Sequence, residues 1–101
     1  MPYTYILRCS DGSYYVGSTF DLERRVWQHN GDNDEGAEYT RRRQPVELAW
    51  AGWFDSIREA YAFEKQVQGW GRAKRQALID GRFGDLPELA ASTVRPLQPD
   101  S

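Results

Sequence analysis

The chain has 101 residues, 14% aromatic residues, a formal net charge of -2 and a single cysteine, Cys9. This length fits one compact domain. The lone cysteine excludes an internal disulfide, is compatible with a reducing compartment, and is expected to be a buried core residue. No apolar run approaches the roughly 20 residues of a membrane span, and no signal peptide is visible. We therefore expect a cytoplasmic domain without membrane contact.

The charged residues are unevenly distributed along the chain. Residues 32–38 contain four acidic side chains and no basic one, whereas residues 39–75 contain eight basic and four acidic side chains. The negative total charge is atypical of a nucleic-acid-binding protein. The second segment nevertheless has a local charge of +4, and a local basic face is enough to attract a polyanion.

A β-hairpin is predicted at the start of the chain. Two aromatic and β-branched runs, residues 3–9 and 14–18, flank the dipeptide Asp11-Gly12. This is a strong hairpin signal because glycine tolerates the positive φ that a tight turn needs. Gly17, near the end of the second run, indicates close approach of another group to the backbone.

Helices and one further strand are predicted after the hairpin. Thr19 or Asp21 can cap an amphipathic helix over residues 21–30, and Ser56 with Glu59 forms a capping box that begins another helix. The remaining predicted elements are a loop over residues 31–45 with a mobile acidic half, a strand over 46–54, helices over about 57–68 and 72–80, and a short docked segment around 86–89.

Glu64 falls on the apolar face of the helix predicted from residue 57. The inward stripe of this helix is predicted to contain Ile57, Ala60, Tyr61, Glu64 and Val67. A buried carboxylate without a partner is costly, so Glu64 requires a cation, a hydrogen-bond donor or a proton.

Four side chains together suit phosphodiester chemistry. Arg25 can bind phosphate in a fork, and Glu64 can hold a hard cation such as Mg²⁺, which usually takes one or two protein carboxylates. Tyr5 or Tyr15 can act as a base beside an attacking water, although an unperturbed phenol has a pKa of about 10 and needs help.

Structural roles also fit the same residues. The two tyrosines can be core or cross-strand residues, and Arg25 can form an internal ion pair with Glu64. His29 can supply a charge that suits the C-terminal end of its helix, and the arginines at 41–43 can belong to a solvated loop. The sequence has no zinc-binding cluster, no phosphate-cradling glycine loop, and only one histidine.

The first 80 residues resemble the GIY-YIG endonuclease superfamily, most closely its small stand-alone bacterial members. The residues that carry the resemblance are Tyr3-Thr4-Tyr5, Tyr15-Val16-Gly17, the helix from Asp21 to His29 with Arg25, and Glu64 in Ala62-Phe63-Glu64-Lys65-Gln66. The first tripeptide departs from the family pattern at Tyr3 and Thr4 but keeps the tyrosine at its end. The ordered set at these spacings is specific, whereas each tripeptide alone is weak.

The resemblance implies an α+β fold with a three-stranded, mainly antiparallel sheet flanked by helices. We expect this nuclease-like domain over residues 1–90 and a flexible tail over residues 91–101. It also implies cleavage of DNA phosphodiester bonds with Mg²⁺ or Mn²⁺, on branched or damaged duplexes in DNA repair or recombination. The implied catalytic residues are Tyr5, Tyr15, Arg25, His29 and Glu64, with Glu64 as the metal ligand. The expected nucleic-acid-binding residues are Tyr39, Arg41, Arg42, Arg43, Arg72, Lys74 and Arg75.

Two other functions remain open from the sequence. The chain can be a non-catalytic nucleic-acid-binding module, or a protein-interaction domain that uses exposed aromatic residues such as Trp50, Trp53 or Trp70. RNA is an alternative partner to DNA, and the sequence leaves the oligomeric state open.

Overall fold

The structure, a computed structural model, describes residues 1–31 and 36–97. Its strands are β1 (Tyr3–Arg8), β2 (Tyr14–Thr19), β3 (Glu47–Trp53) and β4 (Arg95–Pro96). They form one antiparallel sheet in the order β2-β1-β3-β4. The α+β class and the hairpin are confirmed, but the sheet has four strands rather than the three predicted. A two-residue strand has too little pattern to be predicted.

Four α-helices surround the sheet in the described part of the chain. They are α1 (Leu22–Asn30), α2 (Glu38–Arg41), α3 (Ile57–Gln68) and α4 (Arg72–Ile79), and two 3₁₀ helices follow at Phe83–Asp85 and Pro87–Ala91. Asp21 caps α1 by accepting a hydrogen bond from the Arg24 amide, and the predicted capping box of Ser56 and Glu59 begins α3. The helix α2 lies within the segment that was predicted to be a loop.

The sheet has a hydrophobic core on each face. Alternation along β1 places Ile6 in the core beneath α3 and α4, and Tyr5 and Leu7 in the core beneath α1. The α1 side also contains the buried Cys9, as expected. The larger core cluster consists of Ile6, Tyr14, Val16, Trp50, Phe54, Ala60, Phe63, Val67, Trp70, Ala77, Leu78 and Leu86.

The structure corrects two predictions about aromatic residues. Tyr61 is 52% exposed, whereas Phe63 is buried in its place on α3, because the inward face follows the 3.6-residue period through Ala60 and Val67. Trp50 and Trp70 are each 8% exposed, so they are core residues and do not offer the interaction surface considered above.

The ends of two predicted segments lie outside the described residues. The predicted mobile acidic half of the loop falls mostly on residues 32–35, and the last part of the predicted tail falls on residues 98–101. Within the predicted tail, Arg95 and Pro96 pair with β3. The boundary between domain and tail at residue 90 stays a prediction. None of the helices in the described ranges has the length and apolar character that crossing a bilayer requires.

Candidate active site

The hairpin and α1 bring Tyr5, Tyr15 and His29 into contact. In the antiparallel register Tyr5 lies opposite Gly17 and Leu7 lies opposite Tyr15, so both tyrosines project from the same face of the sheet. The Tyr5 hydroxyl lies 2.9 Å from Nε2 of His29. The ring centroids of Tyr15 and His29 are 5.0 Å apart. These three predicted site residues therefore form one cluster.

Gly17 makes room for the Tyr5 ring. A Cβ atom at this position would lie 2.5 Å from the Tyr5 hydroxyl oxygen and 2.7 Å from Cζ. The sequence-based expectation of close approach at Gly17 is confirmed, and the approaching group is the side chain of Tyr5.

Arg25 and Glu64 flank the two tyrosines electrostatically. Burial raises the pKa of Tyr5 to about 12, while a hydrogen bond from the Arg25 guanidinium lowers that pKa and the Glu64 carboxylate raises it. Burial also raises the pKa of Tyr15. Here too, Arg25 lowers the pKa and Glu64 raises it. Since both charges act on both phenols, the four predicted side chains lie within electrostatic range of one another.

The Glu64 carboxylate is turned inward, as predicted, with the residue only 8% exposed. Its Oε2 atom accepts a hydrogen bond from Nε2 of Gln68 at 3.1 Å and lies 3.5 Å from Nζ of Lys65. Gln68 also donates to the backbone carbonyl of Val16 at 3.3 Å. These contacts hold the C-terminal half of α3 against β2, so the carboxylate borders the tyrosine cluster.

Glu64 fits a largely hydrated divalent cation. No group of three or more His, Cys, Asp or Glu side chains arranged to hold a metal is found among residues 1–31 and 36–97. Mg²⁺ does not need such a group, because it commonly binds one or two carboxylates, water and substrate phosphate oxygens. The single inward carboxylate is therefore compatible with a hard divalent cation that keeps most of its water ligands.

His29 is fully buried, and each of its two ring nitrogens contacts another side chain. Its Nδ1 atom lies 2.7 Å from Oγ1 of Thr40, opposite the contact of Nε2 with Tyr5. Burial and the charge of Arg25 lower the pKa of His29 to about 4. The imidazole is neutral at pH 7, so the alternative of a positive charge at the end of α1 is wrong.

Thr40 also belongs to the site, although it was not among the predicted site residues. It lies on α2, is fully buried, and donates a hydrogen bond from Oγ1 to the carbonyl of Ala37 at 2.9 Å. A threonine in a polar, arginine-rich segment has no pattern that distinguishes it from a solvated residue. Only the tertiary contact with His29 identifies it.

Tyr39 and Arg43 extend the cluster toward the surface. The Tyr39 ring centroid lies 6.0 Å from that of Tyr15, and the Arg43 guanidinium carbon lies 3.8 Å from the Tyr39 centroid. Arg43 is held by Asp11 at 3.0 Å. Arg41 and Arg42 are exposed on the same segment, and Arg42 lies 3.7 Å from Glu38. A basic and aromatic rim therefore adjoins the cleft.

The other predicted nucleic-acid-binding residues make internal contacts. Arg72 donates to the Gly12 carbonyl at 2.8 Å, and its guanidinium carbon lies 4.5 Å from the Tyr14 ring centroid. Lys74 pairs with Glu88 at 2.6 Å. Arg75 donates to the carbonyls of Val67 and Gln68 at the end of α3. These three side chains brace the fold, so their role in nucleic-acid binding stays a prediction.

The hairpin, the arginine-bearing helix and the inward glutamate of this small α+β domain are the features that the resemblance to a nuclease superfamily implies. A family model described as the GIY-YIG catalytic domain matches residues 1–77. The chain belongs to the GIY-YIG family, which is a family of generally metal-dependent nucleases acting on nucleic acids.

Small proteins from archaea and bacteria are similar to this chain. A UPF0213 protein of Halobacterium salinarum is 45% identical over 79 residues, which cover 78% of this chain and 100% of the relative. A UPF0213 protein of Bacillus pumilus is 44% identical over 78 residues, covering 77% of this chain and 78% of that protein. The solution NMR structure of a UPF0213 protein from Bacillus halodurans matches with a TM-score of 0.51 at 37% identity, covering 92% of this chain and 100% of that structure.

Proposed function

We propose that this protein is a metal-dependent endonuclease that hydrolyses phosphodiester bonds in DNA. The observation that carries the proposal is the grouping of Tyr5, Tyr15, Arg25 and Glu64, in which one cation and one inward carboxylate act on a buried phenol, Tyr5, and a half-buried one, Tyr15. Membership of the GIY-YIG family supports the same reaction class.

The charged residues have complementary roles in this proposal. Arg25 neutralises charge on the nonbridging phosphate oxygens, which an arginine fork does well in a partly desolvated cleft. Glu64 holds Mg²⁺ or Mn²⁺. When bound, the ion supplies Lewis-acid polarisation of the phosphate and stabilisation of the leaving oxygen.

The two tyrosines act on the attacking water. Tyr15 orients the water or the phosphate, and Tyr5 accepts a proton from the water. Because its pKa is raised to about 12, Tyr5 is a neutral phenol at pH 7 and can accept that proton only if its own proton has an acceptor. Nε2 of His29, at 2.9 Å, is in place to be that acceptor.

The rim beside the cleft supplies the nucleic-acid contacts. Tyr39 offers an aromatic ring at 38% exposure, and the guanidiniums of Arg41, Arg42 and Arg43 neutralise backbone phosphates. We propose branched or damaged duplex DNA as the substrate, with a role in cytoplasmic DNA repair or recombination. The proposal also includes Arg72, Lys74 and Arg75 as phosphate contacts, for which each would have to combine its internal contact with one to DNA.

The proposal is tested by nicking of labelled branched and duplex DNA with Mg²⁺, Mn²⁺ or chelator. We expect metal-dependent nicking that falls by at least about a hundredfold in Glu64→Gln. The matched control is Glu47→Gln, which removes an exposed carboxylate on β3. Equal nicking by Glu64→Gln and the parent would refute the proposal.

A non-catalytic nucleic-acid-binding module is the second candidate. The contacts of Glu64 with Lys65 and Gln68 favour it, because a carboxylate that is already partnered needs no metal. This candidate predicts binding of DNA or RNA that weakens steeply with salt, without metal-dependent nicking by the parent protein.

A further inference from the structure

Thr40 places a hydroxyl group behind the imidazole that contacts Tyr5. Thr40, His29 and Tyr5 form an uninterrupted chain of buried polar atoms, with 2.7 Å between Oγ1 and Nδ1 and 2.9 Å between Nε2 and the phenol oxygen. The three residues are 0%, 0% and 1% exposed. Because these residues are almost fully buried, the hydrogen bonds between them are directed mainly by their own donors and acceptors.

The Thr40 hydroxyl determines which nitrogen of His29 carries the proton. A threonine hydroxyl has one proton to donate, and the Ala37 carbonyl takes it at 2.9 Å. Towards Nδ1 of His29, Oγ1 can then only accept. A neutral imidazole bonded in this way carries its proton on Nδ1 and has a free lone pair on Nε2.

The Tyr5 hydroxyl leads independently to the same tautomer. Arg25, which hydrogen-bonds to this hydroxyl, is only a donor. The phenolic proton of Tyr5 therefore needs an acceptor, and Nε2 of His29 supplies it. In the opposite tautomer, Arg25 and His29 would both donate to the phenol oxygen, and neither of them would accept its proton.

We propose that Thr40 is a positioning residue that holds His29 as the Nδ1–H tautomer, so that Nε2 receives the Tyr5 proton while the lone pairs of the phenol oxygen face the cleft. The consequence for cleavage rests on the proposed function. In the proposed cleavage reaction, a proton of the attacking water moves to the Tyr5 oxygen, and the Tyr5 proton moves to Nε2 of His29. The electron pair of the resulting hydroxide forms the new P–O bond. The leaving oxygen departs with the electron pair of the P–O bond that breaks.

Substrate binding strengthens this arrangement. The titratable or charged groups facing His29 are Tyr5, Tyr15 and Arg25. The Arg25 charge disfavours a second proton on the imidazole. A phosphate bound to Arg25 offsets that charge, so His29 becomes a better proton acceptor when the cleft is filled.

The tautomer can be measured directly because the chain has one histidine. In protein labelled with ¹⁵N-histidine, we expect a protonated-type shift at Nδ1 and an unprotonated-type shift at Nε2 from pH 6 to 8. Thr40→Val removes the acceptor and is expected to populate the Nε2–H form, whereas Thr40→Ser preserves the parent spectrum. An Nε2–H form in the parent protein, or an unchanged tautomer in Thr40→Val, would overturn the inference.

Thr4→Val is the matched control for loss of a buried threonine hydroxyl. Thr4 is also fully buried and donates to the Ala60 carbonyl at 2.7 Å, on the opposite face of the sheet. We expect Thr40→Val to lower the nicking rate at saturating DNA at least about tenfold, with Thr4→Val and Thr40→Ser near the parent rate. A rate loss as large in Thr4→Val would show a merely structural effect. If the parent does not nick DNA, the proposed function fails, while the spectra still decide the role of Thr40.

Discussion

At the scale of single residues, Gly17 links the backbone of β2 to the position of Tyr5. Gly17→Ala would force a methyl group to within 2.5 Å of the phenol oxygen, so either the ring or the strand must move. We expect this variant to be destabilised by roughly 1 to 3 kcal/mol and to lose nicking activity. Urea unfolding and the DNA assay measure the two effects.

Gly84→Ala is the control for this substitution, because a Cβ atom at Gly84 meets nothing within 4 Å. It is expected to unfold at the parent urea concentration or slightly above it. If both variants were equally stable, the close packing of Tyr5 against β2 would be refuted.

His29 is expected to make the stability of the protein depend on pH. Its pKa in the folded state is about 4, against an ordinary value of 6.5, so between these values the unfolded chain binds a proton that the folded chain does not. The stabilisation is present above pH 6.5 and is lost as the pH falls towards 4, in total about 3 kcal/mol.

Urea unfolding of the parent protein and of His29→Gln at pH 7.5, 6 and 5 measures this contribution. The carboxylates titrate in both proteins, so the difference between the two pH dependences isolates His29. Parallel curves for the two proteins would show that the imidazole is not buried in its neutral form.

At the scale of elements, the capping box determines where α3 begins and therefore where Glu64 lies. Ser56 Oγ accepts from the Glu59 amide at 3.2 Å, and the Glu59 carboxylate accepts from the Ser56 amide at 3.1 Å. Ser56→Ala is expected to cost about 1 kcal/mol in unfolding free energy.

Ser10→Ala, at an exposed serine in the hairpin turn, is the control and should change the unfolding free energy by less than about 0.5 kcal/mol. Because α3 is also packed along its length in the core, Ser56→Ala should retain metal-dependent nicking. Full loss of activity with unchanged stability would contradict a purely capping role.

The elements that the sequence predicted well are those with local signals. Asp11-Gly12, the Asp21 cap and the Ser56 capping box each depend on neighbouring residues, and all three are confirmed. The inward position of Glu64 followed from helical periodicity. In contrast, α2 and β4 are only four and two residues long, and their positions depend on contacts with distant parts of the chain.

Within the site, local signals identified the side chains but not their hydrogen bonds. The two tyrosines and Arg25 came from motif spacing and are brought together as expected. The contact of His29 with Thr40 joins two helices across residues 31–37, and no local pattern encodes such a contact. The internal contacts of Arg72 and Arg75 were missed for the same reason, since a basic run looks the same whether it is solvated or braces a helix end.

At the scale of the whole molecule, the net charge is -2, although the rim at Arg41, Arg42 and Arg43 is locally basic. If Arg42 neutralises one DNA phosphate, Arg42→Gln should reduce the slope of log affinity against log salt by about 0.9. Arg82→Gln is the control, because Arg82 is held by Asp80 and Asp85 after α4 and should leave that slope unchanged. Binding isotherms at several salt concentrations measure the slopes, and equal slopes for both variants would refute the proposed DNA-binding rim.

The short strand β4 also has a consequence for how this chain behaves when it is shortened. Arg95 and Pro96 cover the outer edge of β3, where the Leu97 amide bonds the Ala51 carbonyl at 2.8 Å and Arg95 pairs with Asp55 at 3.0 Å. A fragment ending at residue 90 would uncover hydrogen-bonding groups along Ala51–Trp53, and uncovered strand edges recruit other chains. Light scattering should therefore detect self-association of that fragment. In the full chain, β4 prevents such association by covering the edge of β3.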